Sequence, residues 1–283
     1  ETGISVKDHE VDVDGGKITV RSYIPDSDSP TSTFPLMVWY HGGGFVVGDL
    51  SVDEPDLKIL CTSENISILS VDYRLAPEHV FPTQIDDSFA ALKWAVQNSS
   101  LLRADLNKGV IVAGASAGAN LAAVVALRAR DDPAVSQTVT GQILQIPWIA
   151  DSRAYPDKYK DDLRSMFDLS DRPMLTKYYL EQLADLTKLD FKSPKFSPLY
   201  ADSLEGLPKA FIQIAGSDPL RDDGILYARL LKEAGVEVQS DIYPGTPHGF
   251  RYAGPETAAA KKWRQDVVKG VKWILESTSG NDA

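Results

Sequence analysis

The chain has 283 residues, 43% of them hydrophobic and 24% charged, an ordinary globular balance with enough apolar material for a large core. Its formal net charge of −11 argues against a nucleic-acid partner, because a phosphate backbone needs basic patches. No stretch approaches the roughly 18 consecutive apolar residues of a membrane span. The lone cysteine, Cys61, excludes an internal disulfide.

The chain opens at Glu1, with neither a methionine nor an apolar leader, which fits a chain processed or cut before that point. Residues 6–24 alternate polar and apolar around Asp14-Gly15-Gly16. That pattern predicts an antiparallel hairpin of 6–13 against 17–24. After a Pro/Ser/Asp loop, residues 36–40 are apolar almost without a break, as expected of a strand buried on both faces. Helix and strand then alternate: helix 57–64, strand 66–73, helix 84–98, strand 110–113, a helix after Ser116, and strand 141–146. Cys61 falls in the first helix and reads as a small core residue. Asn65-Ile66-Ser67 and Asn98-Ser99-Ser100 match the glycosylation sequon at the level chance supplies. Residues 150–195 break the rhythm with helical patterns and no strand. Their apolar faces carry Phe167, Met174, Leu175, Tyr178, Tyr179, Leu180 and Leu183. An insertion of this length, at the ligand-bearing edge of a sheet, is expected to form a helical cap or lid. Strand 210–214, helix 224–234, strand 236–243 and helix 256–276 complete the chain. The pattern predicts one α/β domain over 1–283, with a mostly parallel central sheet, helices on both faces and the N-terminal hairpin as its antiparallel edge.

Gly114-Ala115-Ser116-Ala117-Gly118 lies where strand 110–113 turns into a helix. A serine on so sharp a turn presents its hydroxyl above the sheet, and the flanking glycines avoid clashes as strand and helix close. A nucleophilic serine needs a base, and the base an orienting group. The sequence has four histidines: His9, His41, His79 and His248. His9 lies in the first hairpin strand and is expected at the surface. His79, in Pro77-Glu78-His79, precedes a helix. His248 sits in a Pro/Gly loop after the last strand, where an α/β hydrolase places its base. The acid should fall between Ser116 and His248. Asp218 follows strand 210–214 directly, whereas Asp222 and Asp223 are placed to cap the next helix. His41-Gly42-Gly43-Gly44-Phe45 can present backbone N–H groups to an oxyanion, with the Ala117 amide completing the hole. Neither a Walker loop nor a dinucleotide fingerprint fits these glycines, and no His/Cys/Asp/Glu cluster has metal-ligand spacing. Phe45, Trp148, Tyr178 and Tyr179 are candidates for an apolar acyl pocket.

These motifs resemble the hormone-sensitive-lipase-like esterases, bacterial family IV of the α/β-hydrolase fold. The resemblance runs from about Val38 to Phe250. It comprises His41-Gly42-Gly43-Gly44-Phe45, Asp72-Tyr73-Arg74-Leu75-Ala76-Pro77-Glu78-His79 with Phe81-Pro82, and Gly114-x-Ser116-Ala117-Gly118-x-Asn120-Leu121. Asp218-Pro219-Leu220-Arg221-Asp222 and His248-Gly249-Phe250 follow in order. It implies a serine carboxylesterase for short- to medium-chain esters, with Ser116, Asp218 and His248 as triad and Gly43, Gly44 and Ala117 as oxyanion donors. It also implies a structural His41, no cofactor and a small-molecule ester as partner; a homodimer is compatible with it, and the lone Cys61 fits a cytoplasmic protein. Two departures stand out. The family usually carries an acidic residue and a glycine where this chain has Ala115 and Ala119, which bears on the pH profile. It also usually has a helical cap before the first strands. A receptor and dehydratases resemble the same family: the plant gibberellin receptor lacks the catalytic histidine, present here as His248. Some plant dehydratases replace the first glycine of the loop, here Gly42, by threonine. Thioesters, lactones and amides stay open as substrates.

Overall fold

The computed structural model describes residues 3–276. β1 (Ile4–Val13) and β2 (Gly16–Pro25) pair as the antiparallel hairpin, with Val13 opposite Gly16. Then follow β3 (Leu36–Tyr40), α1 (Glu54–Glu64), β4 (Ser67–Asp72), α2 (Thr83–Gln97), β5 (Val110–Ala115), α3 (Ala117–Asp131) and β6 (Gly141–Gln145). The insertion holds α4 (Ser165–Asp168), β7 (Asp171–Arg172), β8 (Leu175–Thr176) and α5 (Lys177–Thr187). β9 (Lys209–Ala215), α6 (Arg221–Glu233), β10 (Val238–Tyr243), α7 (Phe250–Ala253) and α8 (Ala258–Glu276) close the chain. Eight strands form one sheet in the order β1-β2-β4-β3-β5-β6-β9-β10. β1–β2 and β2–β4 are antiparallel and every other pairing is parallel.

The sheet is covered on both faces, which explains its unbroken apolar strands. Along β3, Leu36, Val38 and Tyr40 point into the larger core with residues of α2, α3 and α6. Met37 and Trp39 point the other way, against Leu57, Leu60 and Cys61 of α1 and Val271 and Ile274 of α8. Each such side chain, buried fully, stabilises the fold by about 1.5–3 kcal/mol. Burial pushes the Cys61 thiol up to about 12, as suits a packing residue rather than a reactive one.

Three expectations need correction. The insertion contains a strand pair after all, β7 with β8. Pro173 and Met174 form its two-residue turn, and Met174 adopts φ +74°, the positive φ that a type II turn needs at its third position. Second, α6 starts at Arg221 rather than near residue 224, so Asp222 and Asp223 lie inside its first turn and do not cap it. Third, His9 is half-buried rather than on the surface, hydrogen-bonded to Ser22 Oγ at 2.9 Å and beside the Trp94 ring.

Candidate active site

Ser116 sits between β5 and α3 at φ +57°, ψ −118°, a backbone conformation that costs about 1–3 kcal/mol for a residue with a Cβ. The surrounding structure enforces it. The Ser116 N–H donates to Gln145 O at 2.8 Å, one strand over. Gly118 lies so close to the end of β3 that a Cβ there would stand 2.0 Å from Tyr40 O and 2.5 Å from His41 O. Both neighbours are backbone atoms and cannot yield, so only glycine lets α3 start here. Asn120 locks the first turn from its other side, its Nδ2 donating to Trp148 O at 2.6 Å and Phe196 O at 2.7 Å.

His248 Nε2 lies 3.0 Å from Ser116 Oγ, and its Nδ1 lies 2.7 Å from Asp218 Oδ2. A carboxylate facing Nδ1 keeps the proton on that nitrogen, so Nε2 is free to accept from the serine hydroxyl. Asp218 is only 1% exposed, and its second oxygen, Oδ1, accepts from the Leu220 N–H at 2.9 Å. Backbone hydrogen bonds tie the two loops together: Gly216 N–H to Tyr243 O and Ser217 N–H to Thr246 O, each 2.8 Å. The acid and the base are therefore spaced by the β9–β10 pairing itself. His79 is exposed and takes no part in these contacts.

His41 is buried, stacked on Tyr73 at 4.3 Å, with Nδ1 2.7 Å from Gly42 O. Burial lowers its pKa, so the ring stays neutral and donates from Nδ1. The Tyr73 hydroxyl donates to His41 O at 2.8 Å. These contacts fix the glycine loop. Gly43 and Gly44 take φ +121° and +62° and line one cavity with Ser116 and His248. Ala117 is the first residue of α3, where a helix N–H has no acceptor within the helix.

That cavity encloses about 330 Å³, within the range of small-molecule sites. Val47, Met174, Leu175, Leu180 and Leu183 supply apolar wall. Tyr179 lines it, and Tyr178, one residue earlier on α5, does not; it is 71% exposed. Phe45 and Trp148 do not line it either. They stack on each other at 5.8 Å and both contact Phe196 in the core beneath. Phe45 is turned there by its own left-handed backbone, φ +68°. Leu183, read from sequence only as part of an apolar face and not as a pocket residue, comes so close that a Cβ on Gly44 would sit 2.3 Å from its Cδ1. Tyr252 also lines the cavity. Next to it Arg251 is buried, with Nη2 donating to Asp53 Oδ1 and Nη1 to Asp56 Oδ2, both at 2.6 Å. The only sequence trace of that anchor is an arginine three residues after His248. Ala115, where relatives usually carry an acid, is buried among Met37, Trp39 and Ile143.

The neighbouring acids have other work. Asp222 Oδ2 accepts from the backbone N–H groups of Arg164 and Ser165, holding α4. Asp223 Oδ1 accepts from Ile149 and Ala150, both at 2.9 Å, while Oδ2 has no partner among the described residues. Burial pushes the Asp223 carboxyl well up, and nearby Asp218 and Asp222 add to the rise. A raised carboxyl adds full stability below the unfolded pKa and loses it as pH rises towards the folded pKa. Asp223→Asn keeps the Oδ1 acceptor and removes the ionisation. Its melting temperature should exceed wild type by a few degrees at pH 7, with the gap closing near pH 4. An equal or lower value at pH 7 would contradict the burial argument.

The sheet order, the strand–serine–helix turn and the Asp218–His248–Ser116 chain define the class: an α/β hydrolase. A family model described as alpha/beta hydrolase fold matches residues 37–252, and the chain belongs to that family, in its hormone-sensitive-lipase-like branch. Carboxylic ester hydrolase LipN of Mycobacterium tuberculosis is 38% identical over 87% of this chain, which spans 64% of LipN. The crystal structure of vibralactone cyclase superposes with a TM-score of 0.96 at 40% identity, covering 98% of this chain and 82% of that one. EstE1, a thermostable carboxylesterase from a metagenomic library, gives 0.85 at 32% identity, covering 97% and 90%. Among the described residues no helix is long and apolar enough to cross a membrane.

Proposed function

We propose that this chain is a serine carboxylic ester hydrolase acting on short- to medium-chain esters through an acyl-enzyme. The observation that carries this reading is the continuous hydrogen-bonded chain from buried Asp218 through His248 to Ser116 in the wall of an apolar cavity. In this reading Ser116 Oγ attacks the ester carbonyl while His248 Nε2 takes its proton. The amides of Gly43, Gly44 and Ala117 stabilise the oxyanion, each donor contributing about 3 kcal/mol. His248 then protonates the leaving alcohol, and water, activated by the same imidazole, releases the acid. Protein groups and water carry every step. Residues 150–195 serve as a cap on a single domain, with Tyr179, Leu180 and Leu183 of α5 closing the acyl side. The net charge of −11 suits a small-molecule substrate better than a nucleic acid, and the single buried Cys61 supports a cytoplasmic setting. A receptor role is disfavoured because the base is present and bonded to the serine.

The test is covalent labelling. A fluorophosphonate probe should modify Ser116 stoichiometrically, as mapped by peptide mass spectrometry, and abolish hydrolysis of p-nitrophenyl butyrate in proportion. Labelling elsewhere, or activity that outlives full labelling, would count against the assignment.

The 0.96 TM-score to vibralactone cyclase supports a second reading. If a hydroxyl on the acyl chain attacks the acyl-enzyme in place of water, the product is a lactone. Product analysis on a hydroxyacyl ester separates the two, acid for hydrolysis and lactone for cyclisation.

A further inference from the structure

Behind the catalytic loops, on the opposite face of the sheet, lies a small pocket between α1 and α8. It encloses about 40 Å³, room for one or a few water-sized groups, since one water needs roughly 10–15 Å³. Three buried polar atoms on residues of its wall have no hydrogen-bond partner among the described residues: Gln145 Oε1, Arg251 Nε and Trp263 Nε1. All three side chains are more than nine-tenths buried. A buried polar group left unpaired loses its hydration with nothing in return. Three orphans in one pocket call for a common partner.

The chemistry of that partner follows from amide orientations. Gln213 touches the backbone carbonyl of Trp263 at 3.0 Å, and only its Nε2 can donate there. Its Oε1 therefore faces Gln145 and accepts from Gln145 Nε2 at 2.9 Å. That leaves Gln145 Oε1 unpaired as an acceptor. Arg251 Nε and Trp263 Nε1 are donors only. The residues of the pocket wall thus carry two unpaired donors and one unpaired acceptor. A metal cation is repelled by the guanidinium and finds one free ligand oxygen, because both Asp56 oxygens already accept from Arg251 and Arg264. An anion meets the Gln145 carbonyl oxygen and Asp56 in the same wall. A hydroxyl accepts twice and donates once, and satisfies all three.

We propose that this pocket is a binding site for one hydroxyl group, held by Arg251 Nε, Trp263 Nε1 and Gln145 Oε1. The hydroxyl belongs either to a resident water or to a short aliphatic alcohol whose stem lies against Leu57, Leu60 and Val267. A hydroxyl there joins two arms of the catalytic apparatus. Gln145 O holds the Ser116 amide, and Arg251 lies three residues beyond His248. The site does not depend on which reaction Ser116 performs.

A high-resolution crystal structure of the whole chain, grown without alcohols and then soaked in ethanol, tests this. Oxygen density should appear about 2.7–3.2 Å from all three atoms in the first crystal. An ethanol hydroxyl at the same point after soaking identifies an alcohol site, and unchanged water identifies a water site; both support the hydroxyl assignment. In solution, the indole N–H signal of Trp263, assigned by its loss in Trp263→Phe, should show an NOE to long-lived water. An empty pocket, or rotation of Gln145 and Arg251 onto protein partners, overturns it; so does an indole N–H with no water NOE in alcohol-free solution.

Discussion

Ser116→Ala lowers kcat on an activated aryl ester by about 10⁵- to 10⁶-fold and leaves the melting temperature close to wild type. The two halves of this expectation have separate causes. Alanine keeps the Cβ, so the packing of the turn and the strain at φ +57° are retained. The only side-chain hydrogen bond of the serine hydroxyl described is the 3.0 Å contact with His248 Nε2, and His248 remains anchored by Asp218. Little folding energy is lost with one hydroxyl, whereas the covalent route is lost altogether. Residual turnover comes from the oxyanion donors and binding, which alone give about 10³–10⁴ over water in related chemistry. Steady-state kinetics with thermal unfolding of the same preparation checks both halves. Activity within tenfold of wild type would remove Ser116 from the mechanism.

The sequence made the sheet readable because its strands are buried on both faces and their apolar runs are unbroken. It made the Asp218–His248–Ser116 hydrogen-bonded chain readable because histidines are few and because active groups of this fold stand at strand ends, which hydropathy locates. The lining of the cavity was much less readable, for reasons of backbone geometry. Phe45 stands beside the glycine motif in sequence, but φ +68° turns it under the loop into the core. Tyr178 and Tyr179 are adjacent in sequence, and helical rotation sends one to solvent and the other to the cavity. Leu180 and Leu183 carry the 3.6-residue period in plain view, yet periodicity shows only that a face is buried, not against what. The acids after β9 show the same limit. An aspartate near a helix start is compatible with capping its own helix. Asp222 and Asp223 instead reach across to α4 and to the segment leaving β6, partners with no trace in local sequence.

Those acids also make the sharpest test of the triad. Asp218→Asn should lower kcat by about 10⁴-fold with a much smaller change in KM. Both carboxylate oxygens of Asp218 accept, Oδ2 from His248 Nδ1 and Oδ1 from the Leu220 N–H, and an amide supplies only one acceptor. If the amide oxygen stays with Leu220, its NH₂ faces Nδ1. The imidazole must then accept there and carry its proton on Nε2, the nitrogen that has to take the proton from Ser116. If the amide flips, the buried Leu220 N–H meets a donor, at a stability cost of about 1–3 kcal/mol. Either outcome impairs the enzyme, and only the first does so without loosening the fold. Asp222→Asn is the control. Its Oδ2 accepts from the backbone amides of Arg164 and Ser165 at the start of α4, and its Oδ1 from Arg221 Nε. An amide oxygen can keep the α4 contact, so kcat should stay within tenfold of wild type. A harmless Asp218→Asn beside a crippling Asp222→Asn would overturn the assignment of Asp218 as the acid, since the Asp222 contacts described, to Arg164, Ser165 and Arg221, do not include the imidazole.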